Sequence, residues 1–573
     1  MRTNAPRLRR HARRDISPLS RAGSAGLNLS PGPGPDLCRR GLALRPGLAL
    51  RLGLGLAFLL CLIPAASASA AGQAQTAARL PAPEKIVASY VKALGGRKRV
   101  AAARQSTSEW DVTREGSAAG TARLRLKSPS SLRLDLLFAD GESGEAANAS
   151  TAWARERDGG LRTLTDAESL AARLQALLEA SRFADFKKQK VLARTVAAEA
   201  VGGEQAYAVE FSNRAGARLR YWFGAQTGLM LQMSDEARGL RVRFGDWRAR
   251  AGSALAAEPH RLELLRGSGP PLVLTLRESR HDVALADAAF DPPADAALDV
   301  PALLRELSSN QREVDRRIDD YTFTRKVTAR EVNERGEVKK EKVAVYEVYP
   351  VTGVGWVHKL VEENGRPLSA ERAAEESKRA AEALEKAARE LDKRERQKAE
   401  RAAKGREEKE DEDGIRLTIS DFLNACEFIS PRRELFRGRA AIVFDFRPRP
   451  DFKPRTRAES LASKLSGVVW VDPEDRHVVR LEARLVGDFK VSGWMGVSVK
   501  PGSAFVFEQT RLPDGVWLPR FSQVNASAKV LFVAGMQVNR IDEFGDYKRF
   551  SAKAGDDRLD APEKPAPDKE PEH

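Results

Sequence analysis

Cysteine is nearly absent from this 573-residue chain. Cys38 and Cys61 lie in an N-terminal leader, so Cys426 alone remains beyond it, and one thiol closes no internal disulfide. Histidine is also scarce, and the five beyond the leader, His260, His281, His358, His477 and His573, share no metal-ligand spacing. No Gly-rich phosphate loop or nucleophile elbow occurs outside the leader, where the glycines at 53–56 cannot cradle a nucleotide. Cys426, in "FLNACEFIS", has no neighbouring base to activate it and reads as a buried structural thiol. These absences exclude metal, phosphate-loop and nucleophilic-elbow chemistry from the expectations. No catalytic, cofactor-binding or metal-ligating residue is assigned, and the chain is expected not to be an enzyme.

The net charge of +16 invites a polyanion as partner, but the excess is uneven. Residues 1–70 carry eleven Arg and no Lys against Asp15 and Asp36, so +9 of the +16 lies there and +7 on the rest. With no helix-turn-helix, zinc-finger or RNP-type pattern, nucleic acid is not an expected partner. "GLALRPGLALRLGLGLAFLLCLIPAASASA" (41–70) has Arg45 and Arg51 before an apolar core, Leu52 to Ile63, followed by small residues. That core is shorter than the ~20 residues a membrane span needs, and an A-x-A site predicts cleavage near 68–71. The reading is a cleaved export signal, with no transmembrane anchor afterwards and a periplasmic or secreted product. A linker follows at 71–82, and the Pro- and charge-rich tail at 553–573 is expected to be disordered.

What the sequence does contain is alternation. "PEKIVASYVKALGG" (83–96) predicts a helix with Pro83 in its first turn, Ile86, Tyr90 and Leu94 on one face, and Gly95-Gly96 closing it. "TARLRLKSPSSLRLDLLF" (121–138) then alternates through Leu124, Leu126, Leu134 and Leu136 across a turn at Pro129. "AYAVEFSNRAGARLRYWF" (206–223) repeats the arrangement with Tyr207, Phe211, Tyr221 and Phe223. Between them Thr165 and Glu168 are spaced as a capping box for a helix at 165–180. A sheet with so much apolar face and so few helices has to curl around a core or a ligand. Those eight residues are the candidate cavity lining.

A second plan starts near 298: a helix at 301–321, a hairpin turning at 333–336, and strands at 440–446, 465–485, 503–510 and 528–547. Residues 369–413 interrupt it with a charged helix. Leu384 and Leu391 stand one heptad apart in that segment, yet no apolar seam is sustained. It reads either as a solvated helix or as a docking arm for an envelope protein partner. The halves echo each other: "RLRYWFGAQTGLMLQM" (218–233) matches "LSGVVWVDPEDRHVVRLEARL" (465–485) in sense, and "AEPHRLEL" (257–264) matches "VWLPRFSQV" (516–524). The charged Asp472–His477 stretch therefore reads as a turn, since its counterpart makes the same turn without charge.

The order "IVASYVKALGG", "GTARLRLKSPSSLRLDLLF", "AYAVEFSNRAGARLRYWFGAQTGLMLQM", "VRFGDWRARAG" and "AAFDPP" (288–293) resembles that of bacterial periplasmic proteins similar to the outer-membrane lipoprotein-sorting carrier LolA. The resemblance covers about 83–297 and, more loosely, 301–552. It implies an α+β fold: curved, incomplete antiparallel β-barrels with helical lids, two in tandem at 83–297 and 298–552, the charged helix inserted in the second. It also implies a hydrophobic ligand or lipoprotein acyl chain as cargo. Some members of that group resemble stress sensors that hold a partner protein, a use that suits the 369–413 arm. The chain departs from the pattern at Gly224, where the group often carries Asp, and at "GSALAAEP".

Overall fold

The computed structural model describes residues 27–28, 80–281, 283–333, 337–351, 355–403, 416–417, 419–491, 497–530 and 533–549. All of the leader but residues 27–28, most of the linker and the 553–573 tail lie outside the described residues, as do the tip of the 333–336 turn and 404–413 of the charged segment.

The predicted first helix is α1, Pro83–Ala93, with Ile86, Val87, Tyr90 and Val91 buried. Gly95 and Gly96 both take positive φ, 94° and 86°, which ends the helix as only glycine does without strain. A short α2, Arg97–Ala102, follows. Six strands come next: β1 Gln105–Arg114, β2 Ser117–Lys127, β3 Ser131–Phe138, β4 Gly141–Ala147, β5 Ala152–Arg155 and β6 Leu161–Thr163. Helix α3, Asp166–Ala180, precedes seven more: β7 Leu192–Val201, β8 Glu204–Ser212, β9 Arg218–Gly224, β10 Met230–Asp235, β11 Leu240–Arg248, β12 Glu258–Arg266 and β13 Leu272–His281. The capping box does not form. Thr165 stands at the N-cap without a side-chain cap bond, and Glu168 turns away to pair with Arg162 at 2.5 Å.

All thirteen strands make one antiparallel sheet in the order β6-β5-β4-β3-β2-β1-β13-β12-β11-β10-β9-β8-β7. The first strand pairs with the last, and β6 and β7 remain as edges, so no closed barrel forms. The sheet is nonetheless curled. Helix α3 touches β9 and also β2 to β5, although β9 and β3 stand seven places apart, roughly 34 Å in a flat sheet. Across the same gap Arg238, between β10 and β11, reaches Glu145 of β4 at 3.1 Å.

Helix α4, Val300–Arg317, starts the second half, with Asp299 accepting from Ala302 N at its N-cap and Leu303, Leu307 and Val314 buried. Its strands are β14 Tyr321–Val332, β15 Val338–Val351, β16 Gly355–Glu363, β17 Arg366–Pro367, β18 Cys426–Phe436, β19 Arg439–Pro448, β20 Leu465–Val471, β21 Val478–Leu485, β22 Phe489–Val491, β23 Val497–Val499, β24 Ala504–Arg511, β25 Trp517–Val530 and β26 Val533–Arg549. The order is β17-β16-β15-β14-β26-β25-β24-β21-β20-β19-β18, with the β22–β23 hairpin beside β25. The winding is that of the first sheet, again with first strand on last. The β9–β10 and β20–β21 hairpins hold the same rank, as do β12 and β25, which are the pairs matched in sequence.

The charged segment, α5 (Ala370–Ala403), falls between the two halves of the second sheet, where α3 falls in the first. It lies along β16 rather than free in solvent. The contact is a stripe of alanines: Ala373, Ala380 and Ala387 recur every seven residues, half-buried or buried, flanked by half-buried Leu384 and Leu391. Small side chains let helix and sheet approach closely while the rest of the helix surface stays charged.

One strand of the second sheet is buried on both faces. Residues 465–471 do not alternate between core and solvent; every residue of β20 is buried. Leu465, Val469 and Val471 pack on α4, α6 (Ile419–Ala425) and α7 (Arg457–Ala462), while Val468 and Trp470 pack with Ala441 and Val443 on the other face. That other face meets the first sheet's end: Arg480 pairs with Asp166 at 2.7 Å, and Arg432 donates to Thr163 Oγ1 at 2.5 Å.

Candidate functional site

Cross-strand register places the eight candidate residues on one face of the first sheet. Leu124 opposes Leu134, Ala122 opposes Leu136, and Tyr221 and Phe223 oppose Val209 and Tyr207. The face continues through Trp110–Leu276, Val112–Leu274, Leu274–Leu262, Leu262–Phe244, Val242–Met233 and Met233–Tyr221. It is one apolar surface across the inside of the curl, but its two ends differ.

The end under α1 and α3 is filled. Phe211, Tyr221 and Phe223 are fully buried, and Tyr207 packs against them half-buried. The plug is Phe183, from the connection after α3, whose ring stands 4.8 Å from Tyr221, 5.2 Å from Phe211, 5.6 Å from Phe223 and 5.7 Å from Tyr90. Phe186 adds an edge contact to Phe211. Neither phenylalanine was among the candidates. The signal was there, since "SRFADFKKQK" (181–190) spaces two aromatics three apart in an otherwise polar run.

The other end is less covered. Leu134 and Leu136 are half-buried beside Trp110, Val112, Ala122, Leu262 and Leu274, and Leu124 and Leu126 are half-buried as well. Phe244 and Leu264 pack against both ends and join them. Helix α3 straddles the two, its leucines facing the aromatic end while Ala172 and Ala176 sit on Ala147, Ala152 and Ala154.

Polar groups also line this face. Arg238 joins Glu145, Asp235 and Gln175, and Arg266 binds Glu145 at 2.5 Å. Glu179 of α3 accepts from Gln175 Nε2 and Tyr221 Oη, both at 3.0 Å, and burial raises its pKa. Glu258 is held by His281 and Ser253, and despite its burial those hydrogen bonds bring its pKa down to about 2. These bonds fasten α3 and the strand ends around the apolar face.

The charged 472–477 stretch is a turn. Asp472 N donates to His477 O, and Asp472 Oδ1 accepts from the amides of Glu474 and Asp475. Its remaining groups dock it: Asp475 accepts from Trp517 Nε1 at 2.9 Å, His477 stacks on Trp517, and Asn310 of α4 donates to the carbonyls of 475 and 476. Cys426 is fully buried, and burial pushes its thiol up to about 12. At Gly224 a Cβ would stand 2.1 Å from Glu204 Oε1 and 2.3 Å from Thr227 Oγ1, so a larger residue there would displace those two side chains. On the second sheet, a recess of about 360 Å³ lies among Tyr321, Leu512, Pro513, Phe544 and Tyr547. No helix among the described residues is long and apolar enough to cross a membrane.

No family model matches the sequence, and no curated protein does. Among solved structures, the chain is similar to a DUF1329 family protein from Desulfovibrio piger (16% identity, 36% of this chain and 96% of that one, TM-score 0.25). It is similar to a LolA superfamily protein from Nitrosomonas europaea (13%, 34% and 96%, TM-score 0.23). A complex of MucA and MucB from Pseudomonas aeruginosa matches at 10% identity over 79% of this chain and 98% of that one, with a TM-score of 0.15. The solved structures that this chain is similar to thus include the LolA-like group that residues 83–297 resemble in sequence.

Proposed function

We propose that this chain is a non-enzymatic envelope protein that binds a lipid, an acyl chain or another hydrophobic ligand on the inner face of its first sheet. The observation that carries the reading is the half-buried leucine row Leu124, Leu126, Leu134 and Leu136, continuous with a filled aromatic core yet not covered as that core is. Burial of one CH₂ contributes ~0.8 kcal/mol, so a chain of about a dozen carbons supplies roughly 10 kcal/mol before ordering costs, enough for carriage without a specific motif. The second half, wound in the same way, is read as a second unit of this kind, and export as the route to the envelope.

The test is titration of the full chain with a fluorescent acyl probe, beside the double variant Leu124→Gln, Leu134→Gln. Two polar amides in the row are expected to weaken uptake by at least tenfold with folding retained. Unchanged uptake would remove the row from the site.

A second reading has its own observation. Helix α5 holds the rank of α3 but turns a wide charged surface to solvent and meets β16 through its alanine stripe, the flanking leucines and the Arg372–Glu363 pair. As a docking arm for an envelope protein partner, or in a stress-sensing module, it would be dispensable for acyl uptake. Deleting 370–403 is expected to leave probe binding unchanged under the carrier reading and to abolish capture of a partner under the second.

A further inference from the structure

The connection after α3 carries a buried cation whose nearby carboxylates, Glu258 and Glu179, act on it only from beyond ion-pair distance. Arg182 is 8% exposed, and among the described residues no carboxylate lies within ion-pair distance of it. Nη2 donates to Ser106 Oγ at 3.1 Å, while the buried Nη1 donates to nothing among the described residues. The nearby carboxylates are engaged elsewhere: Glu258 with His281 and Ser253, Glu179 with Gln175 and Tyr221. A buried, singly hydrogen-bonded guanidinium is expensive to keep and commonly marks a place where an anion belongs.

The backbone is bent to put it there. Arg182 and Phe183 take consecutive left-handed conformations, φ 47° and 62°, which non-glycine residues adopt at a cost that a site can justify. The bend sends Phe183 into the aromatic end and Arg182 to Ser106. Ser106 stands opposite Leu126 on β2, and Leu126 opposite Leu132 on β3. From Ser106 to Trp110 the row of leucines on β2 and β3 runs four residues, about 13 Å, in one direction away from the guanidinium.

We propose that Arg182 clamps the headgroup of a single-chain anionic amphiphile, a fatty carboxylate, whose tail lies along Leu126, Leu124 and the leucines of β3. The proposal rests on the carrier reading and names its ligand class. A guanidinium presents N–H groups in a planar fork that matches a carboxylate. Leu126 on β2 and Leu132 on β3 follow Ser106 directly across the sheet, so apolar surface begins beside the guanidinium's one partner.

The experiment compares dodecanoate, dodecanol and dodecyl phosphate as ligands of the full chain at neutral pH. Dodecanoate is expected to bind roughly 10- to 100-fold more tightly than dodecanol, the range of a charged hydrogen bond to a buried group. Arg182→Met is expected to bring acid and alcohol to the same affinity. Arg182→Lys, which keeps the charge and loses the fork, is expected to retain part of the preference. The wild-type comparison stands even if a variant fails to fold. Equal binding of acid and alcohol by the wild type would overturn the clamp and leave the carrier reading intact. Tighter binding of the phosphate would overturn the carboxylate, and binding of none of the three would overturn both clamp and carrier.

Discussion

Replacing Arg432 by leucine is expected to lower the stability of the chain by about 3–5 kcal/mol, the cost of stripping one partner from a buried ion cluster. Its side chain is 1% exposed and donates to Glu434 at 2.6 Å, Asp445 at 2.9 Å, the Ser430 carbonyl at 2.8 Å and Thr163 Oγ1 at 2.5 Å. Thr163 in turn donates its amide and hydroxyl to Glu434, so the cluster spans both sheets. Leucine would leave two carboxylates buried without a cation. On the same strand Arg433 makes an exposed pair with Asp295 at 3.2 Å, and Arg433→Leu is expected to cost under about 1 kcal/mol. Denaturant unfolding of the two variants side by side checks the contrast, and equal effects would contradict it.

The cluster also has a pH signature. One guanidinium faces two carboxylates, and burial pushes Asp445 up to about 6, against roughly 3.9 unfolded. A carboxyl whose folded pKa is raised costs nothing below the unfolded value and its full penalty above the folded one, so stability falls as pH rises from about 4 to about 6. Asp445→Asn is expected to flatten that fall. Midpoints measured from pH 4 to 8 decide it, and an unchanged slope would place the titration elsewhere.

Phe183→Ala is expected to cost a further large amount, about 3–5 kcal/mol, because the ring is 1% exposed and touches four aromatic neighbours on three elements. It should also loosen α3, which the connection anchors, and speed hydrogen exchange of 166–180. A loss under about 1 kcal/mol with unchanged exchange would mean that the aromatic end is not the closed core described above.

The legible parts of the fold were those written locally. Leu124, Leu126, Leu134 and Leu136 alternate within one hairpin, and period two alone put them on one face. The match of 218–233 with 465–485 found two hairpins of equal rank because strand, turn and strand are contiguous in sequence. What was not legible depends on distant parts of the chain. Arg432 and Arg480 read as ordinary strand charges; their partners Thr163 and Asp166 lie 269 and 314 residues away. The burial of β20 on both faces follows from the same distant contact. The alanine stripe of α5 escaped notice because a leucine seam was sought, and alanines spaced by seven are hidden in an alanine-rich helix. Within the candidate site, period two could not tell Phe211, Tyr221 and Phe223, which Phe183 seals, from the leucines it leaves half-covered, because the curl of thirteen strands decides which end a helix reaches.

The central claim is that the inner face of the first sheet carries a hydrophobic ligand. Native mass spectrometry of the full chain, as purified and after delipidation, tests it most directly. The account predicts a co-purifying hydrophobic mass that is lost on delipidation and regained when lipid is added back. A clean apo mass with no uptake would mean that the chain's own side chains fill the face from end to end, and would contradict the claim.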